Sequence, residues 1–166
     1  MADGKETSPG GLAHLRSDGT AHMVDVTAKE PTVREATAVA RVECSDAVMA
    51  RLREGSVPKG DVFAVARVAG IQAAKKTPAL LPLAHVIGLH SCEVDVELAD
   101  GGVAIRATAR TADRTGVEME ALTAVTVAAL AVVDMVKGID RSAVVAEAKI
   151  VAKSGGRSGS WVRPEG

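Results

Sequence analysis

Four basic side chains and one histidine lie close together in the sequence, around a helix that the sequence predicts. They are Lys59, Arg67, Lys75, Lys76 and His85. The helix begins at the Lys59-Gly60-Asp61 step, where the backbone amide donors and the helix dipole already favour an anion. The stretch therefore predicts a site for an anionic ligand. A solvated basic helix face is the alternative, and the spacing alone does not decide between the two.

Asp134 and Lys137 form an i,i+3 pair on one face of a later helix. Thirteen uncharged residues, 121–133, precede Asp134, so the pair stands at the edge of a buried stretch. A carboxylate and an ammonium group held together in a drier place can exchange a proton near neutral pH, which predicts a catalytic acid–base couple. The alternative is a surface ion pair that contributes well under about 1 kcal/mol.

Glu118, Met119 and Glu120 open the same helix. Acidic residues in a first turn usually complement the helix dipole, but two carboxylates flanking Met119 could also hold a guanidine-like edge or act as acid and base. Along a continuous helix, the path from Glu118 to Asp134 is about 24 Å. Because one small ligand does not reach both ends within one chain, we predict that a site using both is shared between subunits.

The elements that must position these residues follow from periodicity. Alternation predicts strands at 21–27, 35–44, 92–98, 103–109 and 143–153, and helical spacing predicts helices at 47–55, from 61 to before Pro78, and at 116–140. Without the first short strand, the order is β-α-α-β-β-α-β. This order predicts an α+β, ferredoxin-like split βαβ sandwich, with an antiparallel sheet and helices packed on one face. The last helix is apolar nearly all round, so we expect a second subunit to cover what a two-layer sandwich leaves exposed.

Composition limits the classes of function. The 166 residues carry a net charge of −1 and 1% aromatic residues, so neither a global field nor base stacking favours nucleic acid. The cysteines and histidines show no metal-ligand spacing, and we expect no protein metal site. The N-terminus lacks signal-peptide character, and the run 121–133 is shorter than the roughly 20 residues of a membrane span. We therefore expect a soluble cytoplasmic protein that binds no membrane.

One α+β catalytic domain is predicted over residues 20–153, between a flexible arm at 1–19 and a flexible basic tail at 154–166. Where the tail begins, Lys153 and Arg157 flank glycines that let a backbone approach a phosphate closely. A mobile flap that closes on a bound anion and a disordered tail both remain open.

Six segments, in order, resemble signatures of the cyclic pyranopterin monophosphate synthase family (MoaC) of molybdenum cofactor biosynthesis. They are HMVDV, TVREA, KGDVFAVARVAGIQAAK, TGVEMEALTAVTVAAL, DMVK and AKSGG, spread over residues 20–159. Each alone is a weak signal, whereas the ordered set is highly specific. The resemblance implies a lyase that converts 3′,8-cyclised GTP, a small-molecule nucleotide, to cyclic pyranopterin monophosphate plus diphosphate. It also implies a homohexamer, a trimer of dimers with sites between subunits.

By the matching motifs, Asp134 and Lys137 resemble the catalytic acid–base pair of the family. The implied substrate contacts are Leu83, Ala84 and His85 in a loop, Glu118, Met119 and Glu120 at the base portion, and Lys59, Arg34 and Lys153 at the triphosphate. No resident cofactor is implied, although Mg²⁺ could accompany the triphosphate. The family loop usually reads LCHP, whereas this chain has LAHV, with Ala84 and Val86. The second hypothesis is therefore a catalytically weakened paralogue that acts as a nucleotide-binding or regulatory module.

Overall fold

The computed structural model describes Arg16 and residues 18–164, so most of the predicted N-terminal arm lies outside the described residues. The strands are β1 (Thr32–Glu43), β2 (Leu89–Ala99), β3 (Gly102–Asp113), β4 (Val144–Ser154) and β5 (Trp161–Val162). The helices are α1 (Asp46–Glu54), α2 (Val62–Ala74), α3 (Thr77–Leu80) and α4 (Glu118–Val136).

The five strands form one sheet in the order β2-β3-β1-β4-β5, and every neighbouring pair is antiparallel. β3 separates β1 from β2, and β1 separates β3 from β4, so each helical crossover passes over one strand. This is the ferredoxin-like split βαβ arrangement, and the predicted α+β fold is confirmed. α4 packs on β1, β3 and β4, while α2 lies against β2 and α4.

Small side chains let the helices approach the sheet and one another closely. Along β1, Ala36, Ala38 and Ala40 are buried at alternate positions, as in a strand with one face on the core. α2 meets α4 at Gly70, where a Cβ would come within 2.9 Å of the Ala124 carbonyl oxygen. The position of α2 along α4 therefore depends on a residue without a side chain.

One face of α4 stays uncovered by its own chain. Leu130 is 56% exposed, and on α2 the side chains of Val65 and Val68 are 43% and 65% exposed. This is the incomplete coverage that the two-layer fold was expected to leave. By length and composition alone α4 could also span a membrane, but half of its most apolar window is buried inside the protein.

Residues 21–27 and the C-terminal tail differ from the predicted elements, and the short helix α3 was not predicted. Residues 21–27 form no strand beyond an isolated bridge at Ala21. Instead the Asp25 carboxylate accepts a hydrogen bond from the Thr27 N–H at 2.8 Å, a local turn that competes with strand pairing. In the tail that was predicted to be flexible, Trp161–Val162 form β5 along β4. This part of the tail is an ordered edge strand.

Candidate active site

A carboxylate held by two ammonium groups forms the first half of the candidate site. Lys59 Nζ lies 3.0 Å from Asp134 Oδ2 and 2.7 Å from the Asp134 carbonyl oxygen, and Lys137 Nζ lies 2.7 Å from Asp134 Oδ1. The hydrogen bond from Lys137, and then that from Lys59, hold the pKa of the Asp134 carboxyl below its usual range. All three side chains are about half exposed, so a ligand can reach this basic cluster.

The fold assembles this cluster because α2 begins where α4 ends. Lys59 precedes α2, and Gly60, with a φ of +101°, turns the chain into the helix. The Asp61 side chain then caps the first turn. Asp134 lies in the last turn of α4 and Lys137 is its C-cap. The predicted i,i+3 pair is therefore joined by a lysine from the turn that precedes another helix.

The other predicted cations lie elsewhere. Arg67 Nε donates to the Val94 carbonyl oxygen at 3.1 Å, so its side chain covers part of the edge strand β2. Lys75 lies near Cys92, where its charge opposes the burial that raises the pKa of the Cys92 thiol. Of the four cations first grouped on this stretch, Lys59 is the one that reaches Asp134.

The second half of the candidate site is an open cavity of about 460 Å³. It is lined by all six residues that the resemblance assigns to the loop and the base portion: Leu83, Ala84, His85, Glu118, Met119 and Glu120. The loop after α3 supplies the first three, and the first turn of α4 supplies the others. The structure thus brings these two motifs to one cavity.

Glu120 is the buried carboxyl of this cavity, with a side chain only 4% exposed. Burial raises the pKa of the Glu120 carboxyl, and the charge of Glu118 acts in the same direction. Glu118 itself folds back over Gly116, where any Cβ would overlap its carboxylate. The raised pKa favours the protonated form of Glu120, which can donate a hydrogen bond as well as accept one.

Arg34 and Lys153 lie beside the cavity. Lys153 Nζ is 3.7 Å from Glu118 Oε1. The Arg34 guanidinium donates to the carbonyl oxygens of residues 113–114 at 2.9 and 3.1 Å, and Gly156, with a φ of +69°, lies against it. A side chain at Gly156 would displace the guanidinium, so the glycine turn after β4 and Arg34 form one basic unit.

The two halves lie at opposite ends of α4. The helix is unbroken from Glu118 to Val136, so about 24 Å of helix separates Glu118 from Asp134. The predicted helix geometry is confirmed, and a single chain does not bring the cavity and the Asp134 cluster together.

The N-terminal segment is a wall of the cavity that the sequence analysis missed. Val24, Val26 and Lys29 line it, together with the predicted residues. His85 Nε2 lies 2.7 Å from the Val24 carbonyl oxygen. The HMVDV segment was a recognisable signature, but a contact through a backbone carbonyl leaves no pattern of side chains that could reveal its partner.

The two halves offer different chemistry. The ammonium groups of Lys59 and Lys137 can neutralise the charge of a phosphate leaving group, and the Asp134 carboxylate can accept or donate a proton. The cavity offers carboxyl groups and an imidazole to the polar edge of a heterocycle. Within the part of the chain that the structure describes, no three His, Cys, Asp or Glu side chains come together as metal ligands.

Comparison with known proteins identifies relatives along nearly the whole chain. The model of the MoaC family matches residues 23–156. The cyclic pyranopterin monophosphate synthase of Nocardioides sp. is 56% identical over 160 residues, which cover 95% of this chain and 98% of that protein. The proteins of the same name from Streptomyces griseus and Pelobacter propionicus are 54% and 50% identical, covering 93% and 92% of this chain and 89% and 97% of their own lengths.

Proposed function

Because the chain belongs to the MoaC family, we propose that it is a cyclic pyranopterin monophosphate synthase of molybdenum cofactor biosynthesis. It is a lyase that converts 3′,8-cyclised GTP to cyclic pyranopterin monophosphate and releases diphosphate. The relatives support no non-catalytic nucleotide-binding module. Each of them is named as a synthase, and the match covers most of its length.

The observation that carries the proposal is the cluster of Lys59, Asp134 and Lys137. A module that only binds a triphosphate needs cations, but it does not need a carboxylate between two ammonium groups at 2.7 and 3.0 Å. The reaction requires several proton transfers and the departure of diphosphate. Asp134 and Lys137 supply an acid–base couple for the first requirement, and the lysines supply positive charge for the second.

The remaining residues divide between the two ends of the substrate. Leu83, Ala84 and His85, with Glu118, Met119 and Glu120, bind the base portion, which is supported by their shared cavity. Lys59, Arg34 and Lys153 bind the triphosphate. The polar edge of the rearranged guanine is rich in donors, so it matches the two carboxyls of the cavity, one of which is buried.

The working site lies between two copies of this chain in a homo-oligomer, a hexamer built as a trimer of dimers. Two features support this proposal: the separation of about 24 Å between Glu118 and Asp134, and the exposed apolar side chains of Val65, Val68 and Leu130. A second chain that covers these residues can bring its own Asp134 cluster to the cavity of the first. Light scattering of the purified protein should give the mass of a hexamer, and an active monomer would contradict the shared site.

The proposal includes cytoplasmic location and no resident cofactor, with any Mg²⁺ arriving on the triphosphate. The absence of a resident cofactor is supported by the ammonium groups of Lys59 and Lys137, which can neutralise phosphate charge without a metal. Protein treated with EDTA and then freed of chelator should convert metal-free substrate at a rate close to that of untreated protein. A complete loss that added Mg²⁺ restores would show that the metal belongs to the reaction.

The direct test of the function is incubation of the purified protein with 3′,8-cyclised GTP. We expect one diphosphate and one cyclic pyranopterin monophosphate per substrate, measured by a coupled phosphate assay and by mass spectrometry. Tight binding of an unchanged substrate would instead support the nucleotide-binding module.

A further inference from the structure

The tautomer of His85 is set by a contact outside its own loop. Its Nε2 lies 2.7 Å from the Val24 carbonyl oxygen. A carbonyl oxygen only accepts hydrogen bonds, so this ring nitrogen must carry the hydrogen. In the neutral imidazole the other nitrogen, Nδ1, then has no hydrogen and can only accept. Among the described residues, Nδ1 has no hydrogen-bond partner, and the side chain lines the 460 Å³ cavity.

The segment that carries the Val24 carbonyl is itself held in place. The Asp25 carboxylate accepts the Thr27 N–H at 2.8 Å, which closes a turn directly after Val24. The backbone N–H of Lys29 donates to the Val26 carbonyl at 3.0 Å, and the Lys29 carbonyl accepts from the Arg114 side chain at 2.9 Å. The contact with His85 is therefore part of a fixed loop and not of a free strand end.

We infer that the Val24 carbonyl holds His85 as its Nε2–H tautomer, with Asp25 as a positioning residue, so that Nδ1 meets the ligand as a hydrogen-bond acceptor. The ligand group at this point must then be an N–H or O–H donor, such as a ring amine, an amide N–H or a hydroxyl. The inference deepens the proposed function, on which the identity of the ligand rests. The tautomer itself is a property of the free protein.

Nitrogen-15 NMR of the histidine side chains tests the tautomer without any ligand. At mildly alkaline pH, where imidazoles are neutral, the full-length protein should show His85 with a protonated Nε2 and a bare Nδ1, assigned by comparison with a His85→Gln sample. A protonated Nδ1, or an equal mixture of the two tautomers, would overturn the inference.

Asp25→Ala tests the positioning role, and Asp18→Ala is its matched control. Asp18 closes a similar turn by accepting the Thr20 N–H at 2.9 Å, but it is seven positions upstream of the Asp25 turn and outside the cavity wall. In Asp25→Ala we expect a mixture of His85 tautomers and a kcat for cyclised GTP lower by about tenfold, with KM little changed. Asp18→Ala should behave like the native protein.

The outcomes separate this inference from the proposed function. Native tautomer and native kcat in Asp25→Ala would overturn the positioning role, as would an equal loss in Asp18→Ala. If the native protein fails to convert cyclised GTP at all, the proposed function falls, while the NMR spectrum of the free protein still decides the tautomer.

Discussion

Replacing Asp134 by asparagine separates proton transfer from phosphate binding at the basic cluster. In the native chain, Lys59 and Lys137 enclose one carboxylate at 3.0 and 2.7 Å, which gives the three groups a net charge of +1. The amide has nearly the same size, does not take up a proton at neutral pH, and raises this charge to +2. We expect kcat to fall by about 10²–10⁴-fold, the contribution typical of one positioned acid–base group.

Binding of the triphosphate should survive the same substitution. Lys59 keeps its second acceptor, the carbonyl oxygen of residue 134 at 2.7 Å, so its ammonium group stays in place. At low ionic strength, the additional positive charge should leave the Kd unchanged or up to about fivefold tighter. This gain should disappear near 1 M salt, where the screening length is only about 3 Å.

Single-turnover diphosphate release measures the chemical step, and calorimetry with cyclised GTP measures Kd. Glu147→Gln is the matched control, because Glu147 pairs with Lys149 at 2.7 Å on β4 and undergoes the same change of charge. Retained turnover in Asp134→Asn would refute the acid–base assignment. Binding that weakens in Asp134→Asn would refute the argument from cluster charge.

Three further perturbations test burial, helix packing and the exposed apolar face. Burial raises the pKa of Glu120 above its ordinary value of 4.5, so the folded state binds the proton more tightly than the unfolded state, and stability falls as pH rises from 4.5 through the folded pKa. Glu120→Gln should therefore match native stability below pH 4.5 and exceed it above the folded-state pKa. The gain should be about 1.4 kcal/mol for each unit between the unfolded-state and folded-state pKa values of Glu120, measured by urea titrations at a series of pH values. A gain independent of pH would contradict this. Gly70→Ala places a Cβ 2.9 Å from the Ala124 carbonyl oxygen, and the overpacking cost of about 1–3 kcal/mol should exceed the helix-propensity gain of about 1 kcal/mol. Gly138→Ala, which meets open space, is the control, and equal urea midpoints for the two variants would contradict the close helix contact. Leu130→Asp puts a charge on an apolar side chain that is 56% exposed in one chain. We expect light scattering to show smaller assemblies and activity to fall, whereas an unchanged mass would exclude this face from the oligomer contact.

The fold could be predicted because its signals are local. In β2 and β3, apolar and polar residues alternate on either side of the turn at Gly101 and Gly102, and α4 contains a long apolar stretch. Both patterns can be recognised from residues that are neighbours in the sequence. The strand predicted at 21–27 was wrong because the alternation of HMVDVT ignores the Asp25 side chain, which bonds the backbone two residues later. β5 was missed because two residues give no period, and only their pairing with β4 makes them a strand.

The candidate site was predictable by residue type more than by arrangement. The i,i+3 spacing of Asp134 and Lys137 is a property of one helix and appears in the structure as an ion pair. The third member, Lys59, comes from the turn before α2, and nothing in its own spacing indicates Asp134 as its partner. Arg67 has the same charge and lies on α2, yet it binds a strand carbonyl. Only the packing of α2 on α4 and β2 decides between these two outcomes.

The central claim is that one reaction site combines the cavity at the start of α4 with the Asp134 cluster of another copy. Subunit mixing tests it most directly. Asp134→Asn and Glu120→Gln should each be nearly inactive toward cyclised GTP, since each removes one half from every site. After the two variants are unfolded together and reassembled in equal amounts, diphosphate release should recover to about one quarter of the native rate, because random pairing gives that share of interfaces both native residues. A mixture that stays as inactive as its components would contradict the shared site.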